Sequence, residues 1–412
     1  MTEACIVFSS GRILFSRIFM AFRMQQQANL PAPSPEALAH SQALVSHLCQ
    51  LIAAAGGWIS FADYMRSALY APGLGYYSGG STKFGAAGDF ITAPEISPLF
   101  GASLADTVAA VLAETPGGIV LELGAGTGRL AVQLLGELER QGQLPARYCI
   151  LDLSAELRER QRETIAAALP HLLDRVDWLD ALPERWSGML VANEVFDAVP
   201  CQLLYRDAEG RLFERGVGFA AEGLCFADRP LTEPALVAAA QVLPNDYCSE
   251  FQPEAAALLA SCAAGLESGV MLWLDYGFPA HEFYHPQRNE GTLIGHYRHH
   301  SIHDPFFLPG LTDLTCHVDF SAIYHAGADA GLALEGYVSQ GQYLLDCNIL
   351  QRLDGHTQGC TEMERIAALN AVQKLLSPAE MGELFKAIAF SKNRSATSLL
   401  PGFRGADRSG AL

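Results

Sequence analysis

Positive charge is scarce in this sequence. Its 412 residues include only 27 Lys or Arg against 45 Asp or Glu, which gives a formal net charge of −18 at pH 7. Proteins that bind duplex nucleic acid neutralise the phosphates with clustered Lys and Arg side chains. The surplus of acids therefore argues against a nucleic-acid partner and favours a small cationic ligand or a basic peptide.

Long apolar runs and paired cysteines are also missing. The longest weakly polar stretch, residues 255–274, is interrupted by Glu267 and by two glycines, so no membrane span is predicted. The ten cysteines are scattered singly, and the lack of any Cys-x-x-Cys pair excludes a zinc ribbon and a thioredoxin-like motif. We therefore expect reduced thiols in a reducing compartment. Because 50% of the residues are hydrophobic, the chain can fill a sizeable core.

The first 24 residues carry three arginines and one acid. This composition is typical of an organellar transit peptide, but it also fits a disordered tail or a translation start placed upstream of Met20 or Met24. The disordered tail and the upstream translation start are favoured over the transit peptide. A secretory signal fits poorly, because no small-residue cleavage site follows the apolar run at residues 13–22. The proline-rich residues 31–35 then read as a linker, so residues 1–35 are predicted to be a tail.

The periodicity of apolar residues divides the rest of the chain. Residues 36–115 are predicted to form an N-terminal helical and lid segment around a glycine-rich loop. From Ile119 onwards short buried strands alternate with helices, which predicts an α/β fold with a parallel, Rossmann-like sheet. This core is predicted over 116–350, with insertions near 202–265 and 280–318. Residues 351–412 are predicted to be a C-terminal helical segment.

The strongest chemical signal is the segment Leu121-Glu-Leu-Gly-Ala-Gly-Thr-Gly-Arg. It ends a predicted strand in a glycine-rich turn, where a ligand can approach the backbone closely. The glycines at 124, 126 and 128 depart from the G-x-G-x-x-G spacing of dinucleotide sites. The segment is instead similar to motif I of the S-adenosylmethionine-dependent methyltransferases, in which an acid, here Glu122, precedes the turn. A dinucleotide site and a turn that binds nothing are the alternatives.

Asp152 ends the second predicted strand, thirty residues after Glu122. An acid at this place can accept hydrogen bonds from both ribose hydroxyls of a nucleoside, and it does so in NAD sites as well. Asp152 alone therefore does not identify the cofactor. Trp178 or Leu179, on the third predicted strand, is either a neighbour of the adenine ring or part of the core.

Asn193, Glu194 and Asp197 follow another buried strand, at the edge of the sheet where ligands bind in α/β proteins. Paired acids at this edge suit a cationic acceptor, which they can orient by bidentate hydrogen bonds. The alternative is a helix start, where the macrodipole favours acids. Asp275 and Tyr276 follow a later buried strand and are predicted to line the acceptor pocket. The predicted catalytic residues are thus Glu194, Asp197, Asp275 and Tyr276.

Seven histidines fall between residues 281 and 317. Their spacing matches no metal motif such as H-E-x-x-H, and methyl transfer from a sulfonium needs no metal. We therefore predict no metal site and interpret the segment as a substrate-lining or solvated loop.

These motifs, together with several longer segments between residues 59 and 403, resemble the MidA-like family of S-adenosylmethionine-dependent methyltransferases. That family includes a mitochondrial complex I assembly factor that methylates arginine. The longest and most specific segment is Gly88-Asp-Phe-Ile-Thr-Ala-Pro-Glu-Ile-Ser-Pro-Leu-Phe-Gly. Asn193-Glu-Val-Phe-Asp-Ala-Val-Pro and Asp275-Tyr-Gly also match.

The resemblance implies a class I methyltransferase fold, S-adenosyl-L-methionine (SAM) as cofactor and arginine of a protein substrate as acceptor. In the mitochondrial member the substrate is a subunit of respiratory complex I. Asp152 departs from the family pattern, which often has Glu at this position. The predicted cofactor-binding residues are Gly88, Asp89, Thr92 and Glu95 from the N-terminal segment, and Glu122, Gly124, Ala125, Gly126, Asp152, Leu153 and Asn193 from the core.

A methyltransferase of another acceptor and a non-catalytic assembly chaperone that keeps the fold are the alternative functions. The predicted location is the bacterial cytoplasm, with the mitochondrial matrix as the alternative. The sequence does not determine the oligomeric state, and a homodimer is compatible with it.

Overall fold

A computed structural model describes residues 30–79, 91–395 and 398–412. Most of the predicted tail lies outside the described residues. Two of the predicted cofactor-binding residues, Gly88 and Asp89, also lie outside them.

The centre of the described structure is an eight-stranded sheet with helices on both faces. One strand, β15, runs antiparallel to both of its neighbours, and the other pairings are parallel. This mixed sheet confirms the predicted α/β class and the Rossmann-like core. Its strands follow the order β14 (Ala333–Ser339), β15 (Phe385–Lys392), β9 (Leu266–Phe278), β4 (Trp186–Asn193), β1 (Ile119–Leu123), β2 (Tyr148–Leu151) and β3 (Val176–Leu179), and β13 (Val318–Asp319) pairs with β9.

Strand β15 comes from the C-terminal stretch that the sequence predicts to be helical. Helices do occupy the first part of that stretch, but Phe385–Lys392 is an extended apolar run at the centre of the sheet. Ala387, Ile388 and Ala389 are fully buried. A strand buried on both faces shows no alternation of polar and apolar residues, so periodicity does not separate it from a buried helix.

Apolar helix faces cover the two sides of the sheet. Leu130, Leu134 and Leu138 recur at helical spacing and are buried against it. One side carries α4 (Pro98–Glu114), α5 (Arg129–Arg140), α6 (Ala155–Ala168), α11 (Gln340–Asp346), α12 (Ile349–His356) and α13 (Glu362–Leu376), and the other carries α8 (Pro253–Gly265) and α10 (Phe320–Asp329). Shorter helical segments are α3 (Ala93–Ile96), α7 (Pro234–Ala240), α9 (Ala280–Phe283) and the 3₁₀ turns Pro170–Arg175, Pro286–Arg288 and Ser409–Ala411. Among the described residues, no helix has the length and apolar composition needed to cross a membrane.

The N-terminal helices α1 (Pro35–Ala54) and α2 (Phe61–Tyr70) pack on inserted strands rather than on the central sheet. Leu48 and Phe61 are fully buried in one cluster with Leu314. The backbone N–H of Cys316 donates to the carbonyl of Asp197 (3.1 Å), so this layer closes against the end of β4. The insertions form a four-stranded sheet, β7 (Gly223–Pro230), β6 (Leu212–Ala220), β5 (Gln202–Arg206) and β8 (Tyr247–Phe251), and a three-stranded sheet, β11 (His300–Ile302), β10 (Ile294–Tyr297) and β12 (Asp313–Thr315).

Gly188 in β4 lets the backbones of β1 and β4 approach closely. Its φ is 126°, and a Cβ atom there would lie 2.1 Å from the carbonyl oxygen of Ile119. Gly188→Ala is therefore expected to lower the free energy of unfolding, measured in urea, by about 2–4 kcal/mol. The control is Gly136→Ala in α5, where an added Cβ meets no atom within 4 Å and is expected to raise that free energy by about 1 kcal/mol. Equal changes in the free energy of unfolding for the two substitutions would contradict the close approach of the β1 and β4 backbones.

Candidate active site

The carboxyl ends of β1, β2 and β4 open into one cleft of about 260 Å³. Asp275 and Tyr276, predicted to line an acceptor pocket, do not line this cleft and lie behind its wall. The cleft is lined both by predicted cofactor-binding residues and by the two acids that follow β4, Glu194 and Asp197. Eleven predicted residues line it: Thr92, Glu95, Glu122, Gly124, Ala125, Gly126, Asp152, Leu153, Asn193, Glu194 and Asp197.

The turn after β1 has a backbone conformation that glycine adopts readily. Gly124, Gly126 and Gly128 have φ values of 61°, 54° and 84°, in the left-handed region. A Cβ atom at Gly126 would meet no other atom within 4 Å, whereas one at Gly128 would lie 3.0 Å from the Cα of Gln161. The turn thus leaves open space at Gly126 and packs tightly on α6 at Gly128.

Glu122 is a buried acid at the base of this turn. The hydroxyl of Tyr148 donates to its Oε2 (2.6 Å). Burial, reinforced by the charge of Asp152, raises the pKa of Glu122 to about 8. Its carboxyl is therefore mostly protonated at pH 7, and it supplies a polar group rather than a full negative charge.

Asp152 directly follows β2, is buried, and accepts a hydrogen bond at each of its two carboxyl oxygens. Its Oδ1 accepts a hydrogen bond from the N–H of Ser154 (2.9 Å), and its Oδ2 accepts one from Nε2 of Gln161 (2.8 Å). Burial raises the pKa of this carboxyl above its ordinary value. Each oxygen keeps a further lone pair, with which it can accept a ribose hydroxyl. This geometry fits the predicted role of Asp152 in cofactor binding.

Gln161 on α6 is a site residue that the sequence analysis misses. Its amide also donates to the carbonyl of Gly126 (3.1 Å), and its Oε1 accepts from Nε1 of Trp178 (3.0 Å). One buried side chain therefore joins the glycine turn, β2 and β3. The signal in the sequence is a polar residue four positions from both Leu157 and Ile165, on the buried face of the helix.

The two residues considered as neighbours of an adenine ring lie away from the cleft. Neither Trp178 nor Leu179 lines it. The guanidinium of Arg162 lies 4.1 Å from the centre of the Trp178 ring. Trp178 therefore packs in the core between β3 and α6, in agreement with the alternative interpretation.

The short helix α3 is bound to the glycine turn. Glu95 accepts a hydrogen bond from the hydroxyl of Thr127, and its other oxygen lies 3.4 Å from Nε of Arg129. Gln133 on α5 donates to the carbonyl of Pro94 (2.7 Å). The predicted cofactor residue Glu95 thus lines the cleft and also holds one of its walls against the turn.

Glu194 has a backbone conformation that is unusual for a residue other than glycine. Its φ is 56°, and its N–H donates to the carbonyl of Leu274 (2.9 Å). Strain of this kind costs about 1–3 kcal/mol and recurs at functional sites. Asn193 donates from Nδ2 to Oε1 of Glu194 (2.9 Å). Burial, followed by the charge of Asp197, raises the pKa of Glu194 to about 8.

Asp275 and Tyr276 form hydrogen bonds with the turn after β4 that carries Glu194 and Asp197. Oδ2 of Asp275 accepts from the backbone N–H groups of Val195 (3.1 Å), Phe196 (2.9 Å) and Asp197 (3.2 Å). The hydroxyl of Tyr276 donates to Oδ2 of Asp197 (2.7 Å). Both residues therefore orient Asp197 without facing the cleft themselves.

Asp197 lines the cleft, and one of its two carboxyl oxygens is buried. The residue is 5% exposed, and its Oδ1 has no hydrogen-bond partner among the described residues. The Oδ1 of Asn193 is likewise buried and unpartnered. Leaving a buried acceptor without a donor costs about 1–3 kcal/mol. Both atoms therefore favour a ligand that carries N–H donors.

Two tyrosines that the sequence analysis left without a role also line the cleft. Tyr70 and Tyr77 belong to the segment Ala68-Leu-Tyr-Ala-Pro-Gly-Leu-Gly-Tyr-Tyr, which matches the resembled family. None of the histidines between 281 and 317 lines the cleft, although His317 contacts the ring of Tyr276 (5.3 Å between centroids). In the described ranges, no group of three or more His, Cys, Asp or Glu side chains could hold a metal ion.

The cleft contains groups suited to a nucleoside and, beside them, two acids suited to a cation. The glycine turn and Asp152 suit the ribose of a nucleoside, and the unpartnered Oδ1 of Asn193 suits an ammonium group. The residues present therefore fit SAM, which has both groups. Asp197 adds a buried carboxyl group and Glu194 a partly buried one, and both suit a cation once they are ionised.

The bonds to Asp275 are expected to stabilise the protein as well as the site. Asp275→Ala leaves three backbone N–H groups without their acceptor and is expected to lower the free energy of unfolding by about 3 kcal/mol. The control is Asp180→Ala, because the Asp180 side chain is 94% exposed and its ion pair with Arg158 contributes about 0–1 kcal/mol. Urea unfolding measures both variants, and similar losses would contradict the role assigned to Asp275.

Comparisons with known proteins agree with this geometry. The model of the family described as "putative S-adenosyl-L-methionine-dependent methyltransferase" matches residues 99–338. A superfamily member from Burkholderia thailandensis, crystallised with S-adenosyl-homocysteine, is 48% identical and has a TM-score of 0.88, over 93% of this chain and 100% of its own. The proteins named "Protein arginine methyltransferase NDUFAF7, mitochondrial" from Danio rerio and Homo sapiens are each 27% identical over 84% of this chain and over 86% and 82% of their own.

These findings confirm SAM as the cofactor, and they confirm the resemblance identified from the motifs. The chain is a member of this family of S-adenosyl-L-methionine-dependent methyltransferases.

Proposed function

We propose that this methyltransferase acts on arginine side chains of a protein substrate. The observation that carries the proposal is the unpartnered Oδ1 of Asp197, buried beside Glu194 in the cleft. A guanidinium presents five N–H donors in one plane, and carboxylates accept them in bidentate geometry. The acid pair therefore favours a guanidinium over a neutral acceptor. The names of the Danio rerio and Homo sapiens relatives support the same acceptor.

When bound, SAM supplies an electrophilic methyl group. In the proposed mechanism Oδ1 of Asp197 accepts a hydrogen bond from the guanidinium, while Tyr276 fixes Oδ2 and Asp275 fixes the turn. Glu194 accepts the proton that an ω-nitrogen loses as its bond to carbon forms. Because its pKa is about 8, this group is ionised and able to take up a proton mainly near and above pH 8. Asp275 and Tyr276 are positioning residues in this scheme.

The substrate protein that we propose is a subunit of respiratory complex I, as the resemblance to the MidA-like family implies. The 27% identity with the Danio rerio relative over 84% of this chain supports a common origin. The proposed location is the bacterial cytoplasm, supported by the 48% identity with the Burkholderia thailandensis protein. The mitochondrial matrix, which fits the names of the relatives, is the alternative.

Transfer of labelled methyl groups from SAM to peptides tests the acceptor. The wild-type protein is expected to label an arginine-containing basic peptide and not the same peptide with lysine in place of arginine. Glu194→Gln and Asp197→Asn are each expected to lower kcat/KM about 100-fold or more, while calorimetry shows SAM binding within about threefold of wild type. Asp180→Asn, on an exposed side chain, is the control and is expected to retain full activity.

Two outcomes of this experiment would contradict the proposal. Labelling of the lysine peptide or of a small molecule would assign the enzyme to another acceptor. Unchanged transfer by both acid variants would remove their assigned roles.

The non-catalytic chaperone is tested by Gly124→Val. Gly124 has a φ of 61°, and a Cβ atom there would lie 3.2 Å from Cγ2 of Val195, so valine distorts the cofactor turn. The proposal expects this variant to lose both SAM binding and support of complex I assembly in cells. Assembly that continues without SAM binding would favour the chaperone.

Acceptor affinity is expected to rise with pH. The pKa of Glu194 is raised to about 8, so its carboxyl gains the charge that attracts a cation only as the pH passes this value. Burial also raises the pKa of Asp197, so ionisation of Asp197 strengthens cation binding in the same way at lower pH. The guanidinium stays charged over this whole range. The Kd of the arginine peptide is expected to fall about tenfold between pH 6.5 and 9. Glu194→Gln is expected to lose most of this dependence, and a Kd that does not change with pH in the wild type would contradict the assignment.

A further inference from the structure

One wall of the cleft beside the acid pair is aromatic. The rings of Tyr70 and Tyr77 stack on each other, with centroids 5.4 Å apart and an interplanar angle of 22°. Both residues line the cleft together with Glu194 and Asp197. The cleft therefore combines carboxyl groups and aromatic rings, the two kinds of group that bind planar cations.

Both tyrosine rings are fixed by their hydroxyl groups. The hydroxyl of Tyr70 donates to the carbonyl of Ala198 (3.0 Å), next to the acid Asp197. The hydroxyl of Tyr77 donates to Oδ2 of Asp313 (3.0 Å). Asp313 lies on the inserted strand β12 and is 1% exposed, so its own position is set by the core. The two rings are thereby held from the turn after β4 and from the inserted strand β12.

The aromatic wall is connected by hydrogen bonds to the part of the cleft around Asp197. Tyr70 is bonded to the residue that follows Asp197, and Cys316, three residues after Asp313, donates its N–H to the carbonyl of Asp197. The ribose-binding acid Asp152 belongs to a different strand, β2. Burial, followed by the charge of Asp313, raises the pKa of Tyr77 well above its ordinary value, so the ring remains neutral.

We infer that the acceptor guanidinium stacks on the Tyr70–Tyr77 wall while the acid pair accepts its N–H groups, and that Asp313 positions Tyr77 for this contact. The inference rests on the proposed function and states how the site selects its substrate. A guanidinium is planar and weakly hydrated, so it stacks flat on an aromatic ring, whereas a lysine ammonium is compact and strongly hydrated. The wall therefore gives selectivity for arginine that carboxylates alone do not supply.

Calorimetric titration of the enzyme saturated with S-adenosyl-homocysteine tests the stacking. An arginine peptide is the probe, and the same peptide with lysine is the comparison. Tyr77→Leu is expected to weaken arginine-peptide binding about tenfold, with little change for the lysine peptide and none for S-adenosyl-homocysteine. Phe219→Leu, on a ring that is 55% exposed and outside the cleft, is the control and is expected to change nothing.

A double-mutant cycle tests the positioning role of Asp313. Tyr77→Phe and Asp313→Ala each remove the same hydrogen bond, so each is expected to weaken arginine-peptide binding about threefold, and the double variant no further. Asp313→Asn keeps an acceptor oxygen and is expected to restore most of the affinity. Losses that simply add in the double variant would show that Asp313 does not act through Tyr77.

The outcomes separate the inference from the proposed function. Unchanged arginine-peptide binding by Tyr77→Leu overturns the inference alone, and so does a loss of S-adenosyl-homocysteine binding, which would assign the wall to the cofactor. Absence of arginine-peptide binding in the wild type overturns both. If Tyr77→Leu does not fold, Tyr77→Phe and Asp313→Asn still test the inference. Tyr77→Phe keeps the aromatic ring but loses the hydrogen bond to Asp313, whereas Asp313→Asn keeps an acceptor for that bond.

Discussion

The turn after β4 depends on one carboxylate from the neighbouring strand β9. Asp275 accepts three consecutive backbone N–H groups, from Val195 to Asp197, and these bonds determine where the turn leaves the sheet. The same turn places Phe196 against the ring of Trp273, with centroids 4.2 Å apart. The direction of Asp197 is therefore set by hydrogen bonds and by core packing together. A site acid held in this way needs no reorientation when a ligand arrives.

This arrangement brings three carboxyl groups together where little water reaches them. Asp197 and Asp275 are buried and Glu194 is partly buried, all within a few residues of two strand ends, and each of the three has a raised pKa. Buried like charges oppose folding, and a bound cation relieves that repulsion. The protein thus carries a stability cost in the free enzyme that ligand binding offsets. Such a trade of stability for function is common at enzyme sites.

The parts of the site that lie within a single strand and its turn could be predicted from the sequence. The glycine turn, Asp152 and the acids after β4 each follow a buried apolar run, and chain order alone brings such strand ends to one edge of a parallel sheet. The contacts of Gln161, Asp275 and Asp313 could not be predicted in this way. The hydrogen bond between Tyr77 and Asp313 joins residues 236 positions apart, and its existence depends on how an insertion packs on the N-terminal helices.

The position of β15 has a consequence for the synthesis of the chain. This strand lies between β14 and β9 in the sheet, although both neighbours precede it in the sequence, and its Lys386 pairs in register with Asp275. Until residues 385–392 leave the ribosome, β9 and β14 have unpaired edges, and exposed strand edges recruit other chains. The nascent protein therefore exposes two unpaired strand edges until β15 has been made. Only then does the strand that carries Asp275 gain its antiparallel partner, in addition to β4 and β13.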